Sequence, residues 1–392
     1  MPDYSKNEFH NYVGDLCLGL SNIGPGQSIS LLFNIAEETA EQSKLEAKIS
    51  WYYLKDNQYI KIKESQIIDS TANFLQSGLV QLSLPEDATD NNTILLGDKI
   101  YWLIARCDEN YEIVANIKEI KTNGLAVSRL LDANNQETKG SIALGTIENI
   151  FPKTANIKEV NQAIPSRDGR EKEADNHFYW RSSQRLRHKQ RAINQWDFEQ
   201  IILAKFNEVY KVKCLNHAFY LDTDMKIYAR STHTLLVLLP HYRLNIDSIN
   251  FQPALPMSKL VEIKKLLETK TGPFNQLQVL NTNWDVIKIE VSIMLNQGYI
   301  DLPFYKNKLE EDLKKLIAPW AFEQESKITA LPKLYMASIV DYIDELEYIH
   351  HIKGLKIYKN DFEQFDEIIP TSEIHLLTSG YEHTVNIIEY EQ

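Results

Sequence analysis

The chain has 392 residues, 43% of them hydrophobic and 24% charged, an ordinary globular composition with length for about two or three domains. A formal net charge of -12 argues against a general nucleic-acid binder, whose phosphate contacts require a basic surface. The three cysteines, Cys17, Cys107 and Cys214, lie far apart with no CxxC pair. Their spacing argues against a disulfide framework and a cysteine zinc site and fits a reducing compartment. The start, MPDYSKNEFH, reads as no signal peptide, and the longest apolar run, 235–239, is too short to cross a bilayer. With 20 tyrosines and 6 tryptophans, the aromatic surplus is divided between cores and interfaces.

Residues 1–26 read as a polar lead-in ending in the breaker Gly24-Pro25-Gly26, with a weakly apolar stretch at 9–20 that pairs with or covers another element. Residues 27–150 predict an antiparallel, sandwich-like β domain. Its strands are expected at 28–35, at 44–54 (Leu45, Ala47, Ile49 and Trp51 alternating), around Tyr59, Ile60 and Ile62 after an Asp56-Asn57 turn, and at 78–84, 99–107 and 111–120. A last hairpin brackets Asn134-Asn135. Residues 151–175, with Pro152, Pro165, Arg167, Asp168, Gly169, Arg170, Glu171 and Lys172, form a charged linker and a candidate hinge.

Residues 176–206 form an arginine-rich helical segment. A first helix is expected over about 175–189 and a break at 192–195. A second helix, nucleated by Asp197, carries Phe198, Ile201, Ile202 and Phe206 on one stripe. A strand follows at 209–214, where Val212 and Cys214 alternate with Lys211 and Lys213. An α+β unit at 207–280 reads as three strands, a helix at 258–269 and a strand at 276–280. A second unit with a C-terminal β tail spans 281–392. It reads as a strand at 285–295, helices at 304–317 and 332–346, a strand at 349–358 and tail strands at 374–377 and 384–388. The fold class expected is α+β, an N-terminal antiparallel β-sandwich-like domain followed by small two-layer, ferredoxin-like units.

The run HFYWRSSQRLRHKQRAINQWDFEQIILAKFNEVYKVKCLNH resembles the signature segment of the baseplate J-like family, wedge proteins of contractile phage tails and phage-tail-like injection systems. The match includes Arg181, Ser183, Arg185, Leu186, Arg187, His188, Lys189, Arg191, Ala192, Trp196, Asp197 and Glu199. It continues from Glu208 through His217, with Asn207 where the family often has proline. Pro319-Trp320-Ala321-Phe322, and in the β domain Thr71, Asn73, Phe74, Ser77, Gly78 and Tyr101-Trp102-Leu103, are also similar. The chain would correspond to the C-terminal portion of longer members.

The resemblance implies a non-enzymatic wedge component that assembles six-fold around a hub and spike and links it to tube and sheath. Its partners would be other wedge subunits, including a second J-like protein, together with hub, spike, sheath and tube-initiator proteins. It implies no cofactor, no nucleic acid and no membrane insertion. Assembly would take place in the bacterial cytoplasm, and the product would be a phage tail or an extracellular or membrane-anchored particle.

The residues themselves point to gripping rather than to chemistry. Arg181, Arg185 and His188 fall on one helical face, with Arg187 and Arg191 as a second row, a pattern suited to clamping carboxylates or helix C-terminal carbonyls of a partner. The alternative is a solvated basic face. Tyr210, Lys211, Lys213 and Trp320 complete the candidate interface, although a tryptophan after Pro319 is more often a core plug. His350 and His351 adjoin and point to opposite faces of a strand, whereas His375 and His383 could meet across a hairpin and share a metal. Glu310, Glu311 and Asp312 beside Lys308, Lys314 and Lys315 read as a solvated face with local ion pairs. There is no GxSxG, HExxH or P-loop. The competing reading is a carbohydrate-binding or carbohydrate-active sandwich that uses Trp51 and Trp102 as a sugar platform.

Overall fold

The computed structural model describes residues 14–40, 47–97, 99–107, 113–128, 141–167, 173–242, 249–322, 328, 331 and 333–388. The chain divides into two units, Met1–Ser183 with Pro256–Ser258, and Gln184–Leu255 with Lys259–Gln392. The fold is α+β with an N-terminal β-rich region.

The first unit carries eight described strands: β1 (Gly14–Leu20), β2 (Ser28–Ala36), β3 (Ile49–Lys55), β4 (Gln58–Lys61), β5 (Ile67–Asp69), β6 (Gly78–Ser83), β7 (Tyr101–Cys107) and β8 (Asn116–Thr122). They form two antiparallel sheets ordered β1-β7-β3-β4 and β5-β6-β2-β8. Phe33 on β2 and Trp51 on β3 meet Phe74 at ring-centroid distances of 4.9 and 6.0 Å, so side chains from both sheets share one aromatic core. The Asp56-Asn57 turn has φ of 47° and 65°, the left-handed pair that matches hairpin twist. The weakly apolar lead-in becomes an edge strand because Asp15 on β1 accepts two hydrogen bonds, 2.8 and 2.9 Å, from the buried Arg106 guanidinium on β7. Trp51 is 3% exposed and Trp102 lies across Gly19, so this pair is no sugar platform. The hairpin expected at Asn134-Asn135, Leu45 and the linker residues 168–172 lie outside the described residues.

Residues 71–76 build an uncommon turn. Ala72, Asn73 and Phe74 have φ of 53°, 59° and 62°, three left-handed residues in a row without glycine. Asp69 holds them: its carboxylate accepts from the Thr71 amide and hydroxyl, both 2.6 Å, and from the Asn73 amide. The Thr71 hydroxyl in turn accepts from the Phe74 amide, which aims the Phe74 ring into the core.

Among the described residues the second unit has two larger sheets and one two-stranded ribbon. β9 (Val209–Leu221) and β10 (Lys226–Pro240) form a long antiparallel hairpin, and β11 (Gln276–Asn281) runs parallel to β10. Two strands thus stand where the sequence suggested three. The apparent break is a register shift between Ala229 and Thr234, with Thr232 at φ 61°.

The other sheet centres on β12 (Asn283–Leu295). β14 (Ile349–Lys359) pairs with it antiparallel and carries the short β15 (Phe362–Gln364). Along the opposite edge β17 (His375–Ser379) and β18 (Thr384–Ile387) lie in tandem, both parallel to β12. Ile287, Ile289, Val291 and Ile293 pack against Leu309, Leu313, Ile339 and Ile343 from the covering helices. The expected helix at 332–346 begins later, at Met336. Leu334–Tyr335 (β13) is instead extended and pairs with Glu367–Ile368 (β16). Among the described residues no helix is long and apolar enough to cross a membrane.

Candidate inter-subunit surface

Five helices are described: α1 (Asp175–His188), α2 (Gln195–Lys205), α3 (Met257–Glu268), α4 (Leu302–Ile317) and α5 (Met336–Asp344). α1 carries most of the predicted interface residues. Its acidic residue Asp175 opens the first turn and Arg185, Arg187 and His188 close the last, the arrangement its dipole favours. Lys189 and Gln190 then turn left-handed at φ 50° and 61° and end the helix. Arg191 therefore lies beyond α1, and the second helical row of Arg187 with Arg191 does not exist.

The predicted residues have different surroundings. Arg181 donates to both oxygens of Glu173 at 2.9 and 2.8 Å, within its own chain. That contact raises the Arg181 pKa and lowers that of Glu173. Arg187 lies over the Trp196 ring with its guanidinium carbon 3.9 Å from the centroid. His188 is buried, and its Nδ1 accepts from the Gln190 amide at 3.0 Å. Burial lowers its pKa and favours the neutral ring, with Asp197 opposing and Lys270 and Arg185 adding smaller effects of the same sign as burial. Arg185, Lys189 and Arg191 make no ion pair among the described residues.

α2 begins at a reciprocal cap. The Asn194 side chain accepts from the Asp197 amide at 2.9 Å, and the Asp197 carboxylate accepts from the Asn194 and Ile193 amides. The sequence reading placed the helix start on Asp197; the cap is Asn194, and Asp197 is its third-residue partner.

Tyr210, Lys211 and Lys213 of β9 border a cavity of ≈ 340 Å³ together with Thr282, Glu373 and Ile374. Lys213 reaches the Glu373 carboxylate and carbonyl, each at 3.0 Å. Tyr210 rests edge-on to His241 at 5.4 Å. This group shares no hydrogen bond, ion pair or ring contact with the α1 group among the described residues. Trp320 is 2% exposed, stacked at 5.7 Å on Trp284 and edge-on to Tyr242 at 5.0 Å, which makes it a core plug in this chain.

His375 and His383 do not meet. His375 Nδ1 lies 2.7 Å from Ser372 Oγ, whereas His383 is held between the Ile289 amide and Ser379. Among the described residues no three His, Cys, Asp or Glu side chains group as metal ligands.

The feature that counting arginines missed is the outward side of α1. Phe178, Tyr179 and Leu186 are exposed, Leu186 by 78%, although their spacing would ordinarily mark an inward apolar stripe. Arg181, Gln184 and the buried His188 occupy the opposite side. The signal was present in the positions 178, 179, 182 and 186, one helical face.

Fold and surface thus define an α+β protein whose conspicuous side chains are cations and aromatic rings on an outward helix. The chain belongs to the PVC11-like baseplate protein family: the sequence model described as "Baseplate protein PVC11-like" matches residues 5–375. Among solved structures it is similar to a chain of the cryo-EM, 6-fold symmetrised baseplate of the anti-feeding prophage (AFP). That match has 12% identity and a TM-score of 0.41 over 94% of this chain and 77% of that one. No curated protein matches the chain.

Proposed function

We propose that this baseplate protein is a structural wedge subunit of a contractile, phage-tail-like injection apparatus. In this reading it is kin to the baseplate J-like proteins and links hub and spike to tube and sheath within a six-fold assembly. Family membership over residues 5–375 supports the baseplate role, and the RLRHK segment supports the finer assignment. The observation that carries it is α1, a helix bearing exposed Arg185, which makes no ion pair among the described residues, beside exposed aromatic rings, the composition of a protein–protein contact rather than of a reaction centre. Its partners are other baseplate subunits, and its mechanism is mechanical: interfaces that hold one packing and release to another when the sheath contracts.

The test is the double substitution Arg185→Ala and Arg187→Ala in the intact gene cluster. The protein should remain folded by circular dichroism and fail to enter particles that co-purify with sheath and tube. Normal incorporation of the double variant would remove α1 from the interface.

A further inference from the structure

Residues 141–167, wholly within the first unit, form a loop tied at its base. The Ser166 amide donates to the Ile142 carbonyl at 2.9 Å, the Ile142 amide to Ser166 Oγ at 2.6 Å, and the Gly145 amide to the Gln162 carbonyl at 3.1 Å. Closed ends and an open excursion are the marks of an Ω-loop, a form often used for binding. Beyond the stem every residue from 146 to 159 is exposed, and Phe151 is exposed by 97%. A phenylalanine ring left in water forgoes the burial that makes aromatic side chains effective at interfaces. Glu148 precedes it and Lys153 follows it, and neither makes an ion pair among the described residues.

The cavity of ≈ 340 Å³ lies wholly within the second unit. Val237, Leu239, Ile374 and Leu376 give it an apolar lining, and its volume falls at the small end of ligand pockets, about 300–1,000 Å³. Exposed Lys211 and Glu373 also line it and carry charges of opposite sign. Lys211 makes no ion pair among the described residues, whereas Glu373 is held by Lys213 at 3.0 Å.

We propose that the 146–161 loop of one copy of this chain seats Phe151 in the cavity of the next copy. The ring enters the apolar lining, Glu148 pairs with Lys211, and Lys153 pairs with Glu373, so charge sets the direction in which the loop lies. Knob and socket are different patches, which makes the contact heterologous: each bound copy still offers a free loop or a free cavity. Such a contact recurs from neighbour to neighbour until a ring closes. One loop covers less than the roughly 1,600 Å² of a standard interface, so the isolated chain stays monomeric. Within the particle, where neighbours are already held close, the contact gains effective concentration. The proposal rests on the reading of the chain as a subunit of a ring-shaped baseplate and names one contact between its copies.

The test places the photo-reactive residue benzoylphenylalanine at position 151 in the intact gene cluster. Illumination of assembled particles should join the chain to a second copy of itself. Mass spectrometry should place the joined residue within 210–213 or 373–376, and the isolated chain should give no such product. Lys211→Glu sets anion against anion and should lower the yield at least about threefold. Adding Glu148→Lys to the same chain restores opposite charges at every contact and should recover the yield, which also shows that the variant folds.

A product joined to a different protein, a product within one copy, or no product would overturn the proposal, and so would a yield indifferent to Lys211→Glu. Particles that carry the chain at its normal level while giving one of these results sink this pairing alone. Particles from which the unaltered chain is absent would remove the baseplate reading as well.

Discussion

The Arg187 guanidinium lies over Trp196 with its central carbon 3.9 Å from the ring centroid, joining the last turn of α1 to the first turn of α2. Between them the chain turns through left-handed Lys189 and Gln190, and the Ala192 amide donates to the Lys270 carbonyl at 3.0 Å. The stacked pair sits at a partly exposed site, where such contacts contribute about 0.5–1 kcal/mol. A double-mutant cycle of Arg187→Ala and Trp196→Ala, followed by urea unfolding, should return a coupling of about that size. Arg187→Lys should retain only part of it, because an ammonium lacks the planar face. Strict additivity of the two alanine variants would show that the stacking contributes nothing to stability.

The cap on α2 supports a second prediction. Asn194→Ala removes the acceptor for the Asp197 amide and should cost about 1 kcal/mol, whereas Asn194→Ser, which can still cap, should cost far less. Asp197→Ala should cost more than either, because its buried carboxylate serves the amides of both Ile193 and Asn194. Equal stability of the alanine and serine variants in denaturant titrations would count against the cap.

Strand and helix periodicity was legible wherever one side of an element is buried. Ile287, Ile289, Val291 and Ile293 alternate as a half-covered strand should, and Leu309, Leu313 and Ile317 follow a helical stripe. Pairing was not legible. Nothing local in 374–388 says that both tail strands lie along one edge of β12, because that register is set by distant partners. Leu334–Tyr335 was absorbed into a helix because its extended conformation depends on pairing with Glu367–Ile368, about 33 residues away by chain position. At the interface the arginines of α1 were visible as residues, but their roles were not. One is satisfied by Glu173, another by Trp196, and Arg191 falls beyond a helix end marked by neither glycine nor proline.

The left-handed turn of the first unit should depend on two residues. Thr71→Val keeps the shape but deletes the hydroxyl that donates to Asp69 and accepts from Phe74, leaving a buried amide unpaired. A loss of about 1–3 kcal/mol is expected. Gly78→Ala should be at least as harmful, because a Cβ there would lie 2.6 Å from the Ser70 carbonyl oxygen, a backbone atom that cannot swing aside. Denaturant unfolding of both variants checks this; a Gly78→Ala protein as stable as the original would mean that the Ser70 strand yields freely.

His383 makes stability depend on acidity in a defined window. The Ile289 amide donates to its Nδ1 at 3.0 Å, so the proton of the neutral ring resides on Nε2 and is donated to Ser379 Oγ, also at 3.0 Å. Ser379 in turn donates to the Gly380 carbonyl. That polarity is the reverse of a serine activated by a histidine base. Burial first, then Lys314, pushes the His383 pKa down to about 4 from 6.5, with Glu310 opposing. A proton added to Nδ1 would face the Ile289 amide hydrogen, so the folded state resists it. The unfolded chain therefore binds more protons than the folded one between pH 6.5 and about 4. Stability is complete above that window and falls as pH drops through it, by about 3 kcal/mol in total. Burial also lowers the His375 pKa and adds a contribution of the same sign. His383→Gln, whose amide can accept from Ile289 and donate to Ser379, should flatten most of the slope in unfolding free energy across this range while leaving stability at neutral pH little changed. An unaltered slope in the glutamine variant would assign the acid sensitivity to other groups.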